Sequence, residues 1–93
     1  MVISLARIGA ILQAEDIEGL LSLGAPKDEY SHEAAEIKSA LADLDEDNAT
    51  QDQISALVMN VWKRSFGPLS DGDVEKRFPA FRQLAQRILD DRR

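Results

Sequence analysis

Apolar side chains recur along this chain at intervals of three and four, the spacing of one face of an α-helix. Leu5, Ile8, Ile11 and Leu12 share such a stripe, widened by Ile3 and Ala6, and predict a first helix over residues 2–15. Gly9 weakens that helix by roughly 1 kcal/mol relative to alanine. Asp16 is placed to cap a short second turn over residues 17–23, which Gly19 and Gly24 interrupt.

The next stripe, Tyr30, Ala34, Ile37, Leu41 and Leu44, predicts a helix that starts between Asp28 and Ser31 and runs to about Leu44. Either Asp28 or Ser31 suits the capping position, and Glu29, Glu33 and Glu36 suit the positive end of the helix dipole. After the polar connection Asp45–Ala49, Thr50-Gln51-Asp52-Gln53 forms a capping box, in which threonine serves the third amide and Gln53 reaches back. Ile54, Leu57, Val58, Val61 and Trp62 follow with the clearest helical period in the chain, and Gly67-Pro68 ends it. Ser70-Asp71-Gly72-Asp73 opens the last region. A short turn over residues 74–78 is expected there, then a helix from Pro79 to about Asp90, because proline is tolerated in a first turn. Phe78, Phe81, Ala85 and Ile88 would face inward on it, with Leu84 and Leu89 alongside. The chain has no sustained strand-period alternation, internal repeat or low-complexity segment. The pattern predicts an all-α fold, a single domain built as a compact bundle of about four main helices with short connections.

Composition narrows the chemistry. The 93 residues include no cysteine, which removes disulfides, cysteine-held zinc and thiol catalysis from consideration. Arg7 interrupts the apolar start, so no secretory signal is read, and no stretch approaches the roughly 20 apolar residues that span a bilayer. A cytoplasmic protein with no membrane partner is the expectation.

The net charge of −6 is unevenly placed. Residues 1–48 hold three basic and eleven acidic side chains, whereas residues 49–93 hold eight basic and six acidic. Such a chain repels phosphate backbones overall, so no nucleic-acid partner is expected. The oppositely biased halves are suited to attract one another within the fold.

The stretch Asp16-Ile17-Glu18-Gly19-Leu20-Leu21, through Gly24-Ala25-Pro26-Lys27-Asp28-Glu29-Tyr30, to Ala34 and Ile37 resembles the YugE-like family of small bacterial domains of unknown function. Phe66-Gly67 matches the end of a later helix more loosely, and Glu18 departs from the family pattern, which favours proline nearby. The resemblance implies a helical domain and no activity.

Several constellations invite a chemical reading. Pro26, Asp28, Glu29 and Tyr30 lie on a loop entering a helix, a placement that often carries binding residues, and form a candidate interaction surface. Turn, cap and core roles account for the same residue types. Asp43, Asp45 and Asp47 have the first spacings of a calcium loop. However, Asn48 stands where glycine is needed and Ile54 where the bidentate glutamate should be, which leaves them weak metal candidates. His32 is the single histidine, early in a helix and without a second ligand or base to support it. Lys63, Arg64, Arg82 and Arg87 would form a basic patch if the last two helices lie together. The serines form no nucleophile elbow, and there is no glycine-rich phosphate loop.

The expectation is therefore a protein that is not an enzyme and needs no cofactor. It would be a non-catalytic interaction module, with an unidentified protein partner or a second copy of itself. A toxin-neutralising immunity protein is a sharper form of that reading. A divalent-metal-binding regulatory domain or enzyme, using Asp43, Asp45 and Asp47 or Asp28 and Glu29, is the alternative of a different kind.

Overall fold

Four α-helices gather the apolar stripes in the computed structural model, which describes residues 1–26, 29–45 and 47–91. They are α1 (Leu5–Glu15), α2 (Ser31–Leu41), α3 (Gln51–Phe66) and α4 (Asp71–Asp91), with no strand among the described residues. Each helix packs on two others: α1 on α2 and α4, and α3 on α2 and α4. The four therefore close a ring around one core, in which Ile8, Leu12, Ile37, Leu41, Val58, Trp62, Phe81 and Ile88 are all buried.

The first helix starts later than its stripe suggests. The Ser4 hydroxyl accepts from the Arg7 amide at 3.1 Å, fixing the N-cap at Ser4. Residues before it run extended, so Met1 and Ile3 turn inward while Val2 stands 80% exposed. The Lys38 ammonium donates to the Ile3 carbonyl at 2.8 Å and holds this segment against α2. At the other end, Asp16 takes the left-handed conformation (φ 43°) and its amide closes on Leu12. Asp16 thus ends α1, and residues 17–24 are turns rather than a second helical piece.

α2 ends at Leu41, short of Leu44, which packs half-buried against the core. Tyr30 occupies its N-cap position without a side-chain cap bond, so Ser31 does not serve as cap. Asp28, the other candidate, lies outside the described residues. α3 carries the full capping box: the Gln53 amide donates to Thr50 Oγ1 at 3.2 Å, and the Thr50 amide to Gln53 Oε1 at 3.0 Å. Gly67 ends α3, and a Cβ built there would collide with the Lys63 carbonyl oxygen.

The largest departure is α4, one continuous helix in which Pro79 is internal, where a turn and a shorter helix were expected. Ser70 and Asp73 start it by a reciprocal bond, amide to carboxylate and amide to hydroxyl, both 3.1 Å. Pro79 removes the amide that would bond the Glu75 carbonyl. Both residues are exposed, so water can replace the missing partner. Phe78, one turn before Phe81 on this helix, is 40% exposed, with the Arg82 guanidinium 5.9 Å from its ring. Phe78 is consequently not a core residue, whereas Phe81, Ala85 and Ile88 are.

Trp62 is the hub of an aromatic cluster, with ring centroids 5.1 Å from Phe66, 6.0 Å from Tyr30 and 6.0 Å from Phe81. Such pairs add about 0.5–1.5 kcal/mol each beyond the area they bury. The indole Nε1 and the Ser55 and Ser65 hydroxyls are buried without a hydrogen-bond partner among the described residues.

Candidate functional site

The segment that joins α1 to α2 is organised by one carboxylate. Asp16 Oδ1 accepts from the Leu21 amide at 3.1 Å and from the Tyr30 hydroxyl at 2.7 Å. Its Oδ2 accepts from the Ser22 amide at 3.1 Å and the Ser22 hydroxyl at 2.9 Å. The Tyr30 oxygen in turn accepts from the Glu18 amide at 3.2 Å, and the Glu18 carboxylate takes a two-point ion pair from Arg77 at 2.6 and 3.0 Å. The Tyr30 bond acts most strongly on Asp16. Together with the donors of Leu21 and Ser22 it outweighs the raising effect of desolvation and holds the Asp16 carboxyl at about 2. Desolvation, followed by the bond to Asp16, pushes the Tyr30 phenol up to about 12.

This assembly decides the role of Tyr30. The side chain is 1% exposed and stacked on Trp62, so it offers no surface to a partner. Pro26 and Glu29 are exposed beside it, the Glu29 amide bonding the Pro26 carbonyl at 3.0 Å, and Asp28 lies outside the described residues. The three described candidates are thus split, Tyr30 in the core and Pro26 and Glu29 in the turn. What they and Asp16 accomplish is to fix where α2 starts.

The aspartates after α2 are used locally. Asp45 accepts from the Asp47 amide at 3.1 Å and the Asn48 side chain at 2.6 Å. No group of three or more acidic, histidine or cysteine side chains able to hold a metal occurs among the described residues, so Asp43, Asp45 and Asp47 are not brought together as a ligand set. The His32 ring is 72% exposed and its Nε2 meets Glu36 at 2.7 Å, one turn along α2. The expected basic patch dissolves into ion pairs with neighbouring elements. Arg64 reaches Glu36 at 3.4 Å and Arg87 reaches Glu15 at 3.0 Å, while Arg82 pairs with Asp52 and Gln51. With Arg77–Glu18, three of these join a cation of the C-terminal half to an acid of the N-terminal half, as the charge bias suggested.

The feature that stripe reasoning missed is the outer face of α2. Ala35, Ser39 and Ala42 are exposed at intervals of four and three, where a surface helix usually presents charge. With Lys38 they floor a groove of about 360 Å³ whose other wall is Met1, Val2 and Leu5, the last two 80% and 47% exposed. Ser39 also borders a polar depression of about 290 Å³ formed with Glu36, Ala40, Asp43 and Arg64. Ala40 and Arg64 are shared with a third depression of about 410 Å³, walled by Leu44, Ala56 and Leu57. A broken trough of three depressions therefore borders α2, mostly apolar at both ends and mixed in charge in the middle, where Arg64 stands beside Glu36 and Asp43. Two signals for it were present in the sequence: the uncharged positions 35, 39 and 42, and the apolar Val2 between two residues that turn inward.

No family model matches the chain, and neither a curated protein nor a solved structure does. The likeness to YugE-like domains accordingly rests on the residues quoted for it. No helix among the described residues is long and apolar enough to cross a membrane.

Proposed function

We propose that this chain is a non-catalytic protein-interaction module that docks a partner protein in the trough across α2. The observation that carries the reading is the exposure of Val2 and Leu5 at the mouth of a groove whose floor, Lys38 apart, is made of small, uncharged side chains. Aliphatic groups held in water at a concave site are favourable to cover, at about 25 cal/mol per Å² of apolar surface removed from solvent. The residues that would be needed for catalysis give it no support. The tyrosine and the Ser22 hydroxyl are both tied to the Asp16 carboxylate, and the histidine is exposed against Glu36.

The acidic excess of residues 1–48 suits a narrower form of this role, a toxin-neutralising immunity protein whose target surface is cationic. A gene neighbourhood without a toxin-like partner would remove that narrower form and leave the broader one standing.

Site-specific photo-crosslinking in the native cell tests the proposal. A crosslinker at Leu5 should give a discrete heterologous adduct that one at the exposed Glu75 of α4 does not. Identical patterns from both positions would overturn it.

A further inference from the structure

We propose that residues 1–15 are a detachable unit: an ionic clasp on α4 keeps α1 seated, and the unit opens about Asp16 while the other three helices stay folded. α1 carries its charges at the ends where they oppose its own dipole and serve its neighbour instead.

α1 by itself is a weak helix. It spans 11 residues, fewer than the roughly 12–15 below which an isolated helix is marginal in water, and Gly9 lies near its middle. Bases weaken the start of a helix and acids weaken its end, because of the dipole. α1 has no acid in its first turn, where Arg7 stands, and no base in its last, where Glu15 stands beside the capping Asp16. α3 is built the other way, with Asp52 after its capping box and Lys63 and Arg64 in its last turn. α2 likewise carries Glu33 early and Lys38 late.

The charges that weaken α1 as a helix hold it as a docked element. Arg7 meets Asp91 at 2.7 Å at one end, and Glu15 meets Arg87 at 3.0 Å at the other. Both carboxylates are shielded, 19% and 18% exposed, so salt screens these pairs less than open surface ones. Between the two pairs a depression of about 330 Å³, bordered by Arg7, Arg87, Asp90 and Asp91, reaches Ile11. On the α2 side the unit is held by the buried Met1 and Ile3 and by Lys38, which donates to the Ile3 carbonyl at 2.8 Å. The extended segment therefore leaves with α1.

The boundary falls at Asp16. Its left-handed backbone ends α1, while its carboxylate is held by Leu21, Ser22 and Tyr30, all beyond the unit. Glu18 is fixed to α4 by Arg77 at 2.6 and 3.0 Å. The connection thus stays in place when α1 swings away and uncovers the apolar seat of Ile8, Ile11 and Leu12 on α2 and α4. An element whose order depends on its neighbour opens at a lower free energy than the whole chain.

Amide hydrogen exchange of the full chain, followed by NMR in dilute guanidinium chloride, tests this. The opening that frees the Ile8, Ile11 and Leu12 amides should be at least about tenfold more frequent than the one that frees Val58, Val61 and Trp62. It should also depend less on denaturant, because less surface is exposed. Arg7→Glu places at the start of α1 the sign that its dipole favours, but sets it against Asp91. That variant should open α1 about tenfold more often, and adding Asp91→Arg should reverse the change. Arg7 is 58% exposed, so its substitution leaves the core as it is. One opening frequency and one denaturant slope for all six amides would overturn the proposal, since α1 would then leave only when the whole chain unfolds. Slower exchange of α1 in Arg7→Glu would overturn it too, because the dipole rather than the clasp would govern the helix. So would a double variant no better protected than the single one.

Discussion

α4 and α2 are neighbours in the ring only through α1 and α3, and they meet solvent in opposite ways. α4 is fastened outward by three arginines, each reaching a different element: Arg77 to Glu18 in the α1–α2 connection, Arg82 to Asp52 of α3, and Arg87 to Glu15 of α1. Inward it buries Phe81, Leu84, Ala85 and Ile88 completely. α2 buries a comparable stripe, but its outer face bears Ala35, Ser39 and Ala42 and a single long ion pair to α3. The difference teaches where this protein places its stability and where it keeps a surface uncommitted. A face that contributes little to folding is free to contribute to binding.

Five substitutions would break or sharpen that contrast. Phe81→Ala on α4 removes a fully buried ring and should lower unfolding free energy by about 3–5 kcal/mol in urea titrations. A loss under about 1 kcal/mol would mean that α4 is not seated in the core.

Tyr30→Phe deletes the hydroxyl that ties the start of α2 to Asp16, and should cost about 1.5–3 kcal/mol, as bonds to a charged group do. Tyr30 is the single tyrosine, so its ionisation can be followed cleanly by near-ultraviolet absorbance. Its phenol lies above the ordinary value, so this group's stabilising contribution is complete below pH 10 and is lost as pH rises through about 12. Asp16 behaves oppositely. Its folded-state value lies below the unfolded one of about 3.9, so its contribution is present above that pH and is lost on acidification through about 2. In Asp16→Asn the tyrosine should ionise nearer 10. A titration still centred on 12 would assign the whole shift to burial.

Arg87→Gln should cost only about 0.2–1 kcal/mol, because the pair with Glu15 is partly exposed and screened by salt. A larger loss that persists in high salt would show that this arginine acts through packing of its stem. Smallest of all, Val2→Ser should change thermal stability by no more than about 0.5 kcal/mol while weakening the heterologous adduct formed from Leu5. A marked drop in stability would make the N-terminal segment part of the core rather than a docking wall.

Much of the fold could be read from local chemistry. Thr50 and Gln53 announce α3 because both partners of a capping box lie within one turn, where no distant residue can interfere. The buried stripe of α2 was equally legible, since a repeat of three and four has one geometric solution. Pro79 was misread because its usual preference for a first turn is a statistical consequence of the missing amide. Where the orphaned carbonyl faces water, as that of exposed Glu75 can, the helix runs on. Phe78 was misassigned because it keeps the phase of Phe81 and Ala85, and period alone does not tell where along α4 the core stops. In the candidate loop, turn and core roles were legible, but Tyr30's partner Asp16 lies fourteen positions away and only folding brings them together.

The sequence by itself determined that four amphipathic helices would form, and roughly where, because helical period, capping and turn chemistry act over a few neighbouring residues. Tertiary structure decided which helices became neighbours, and hence which carboxylate each arginine met and that Val2, Leu5 and the small face of α2 would enclose a trough. A groove is a relation between elements. Its walls are written in separate stretches of the chain, and only the burial of the stripes on their other sides brings them face to face.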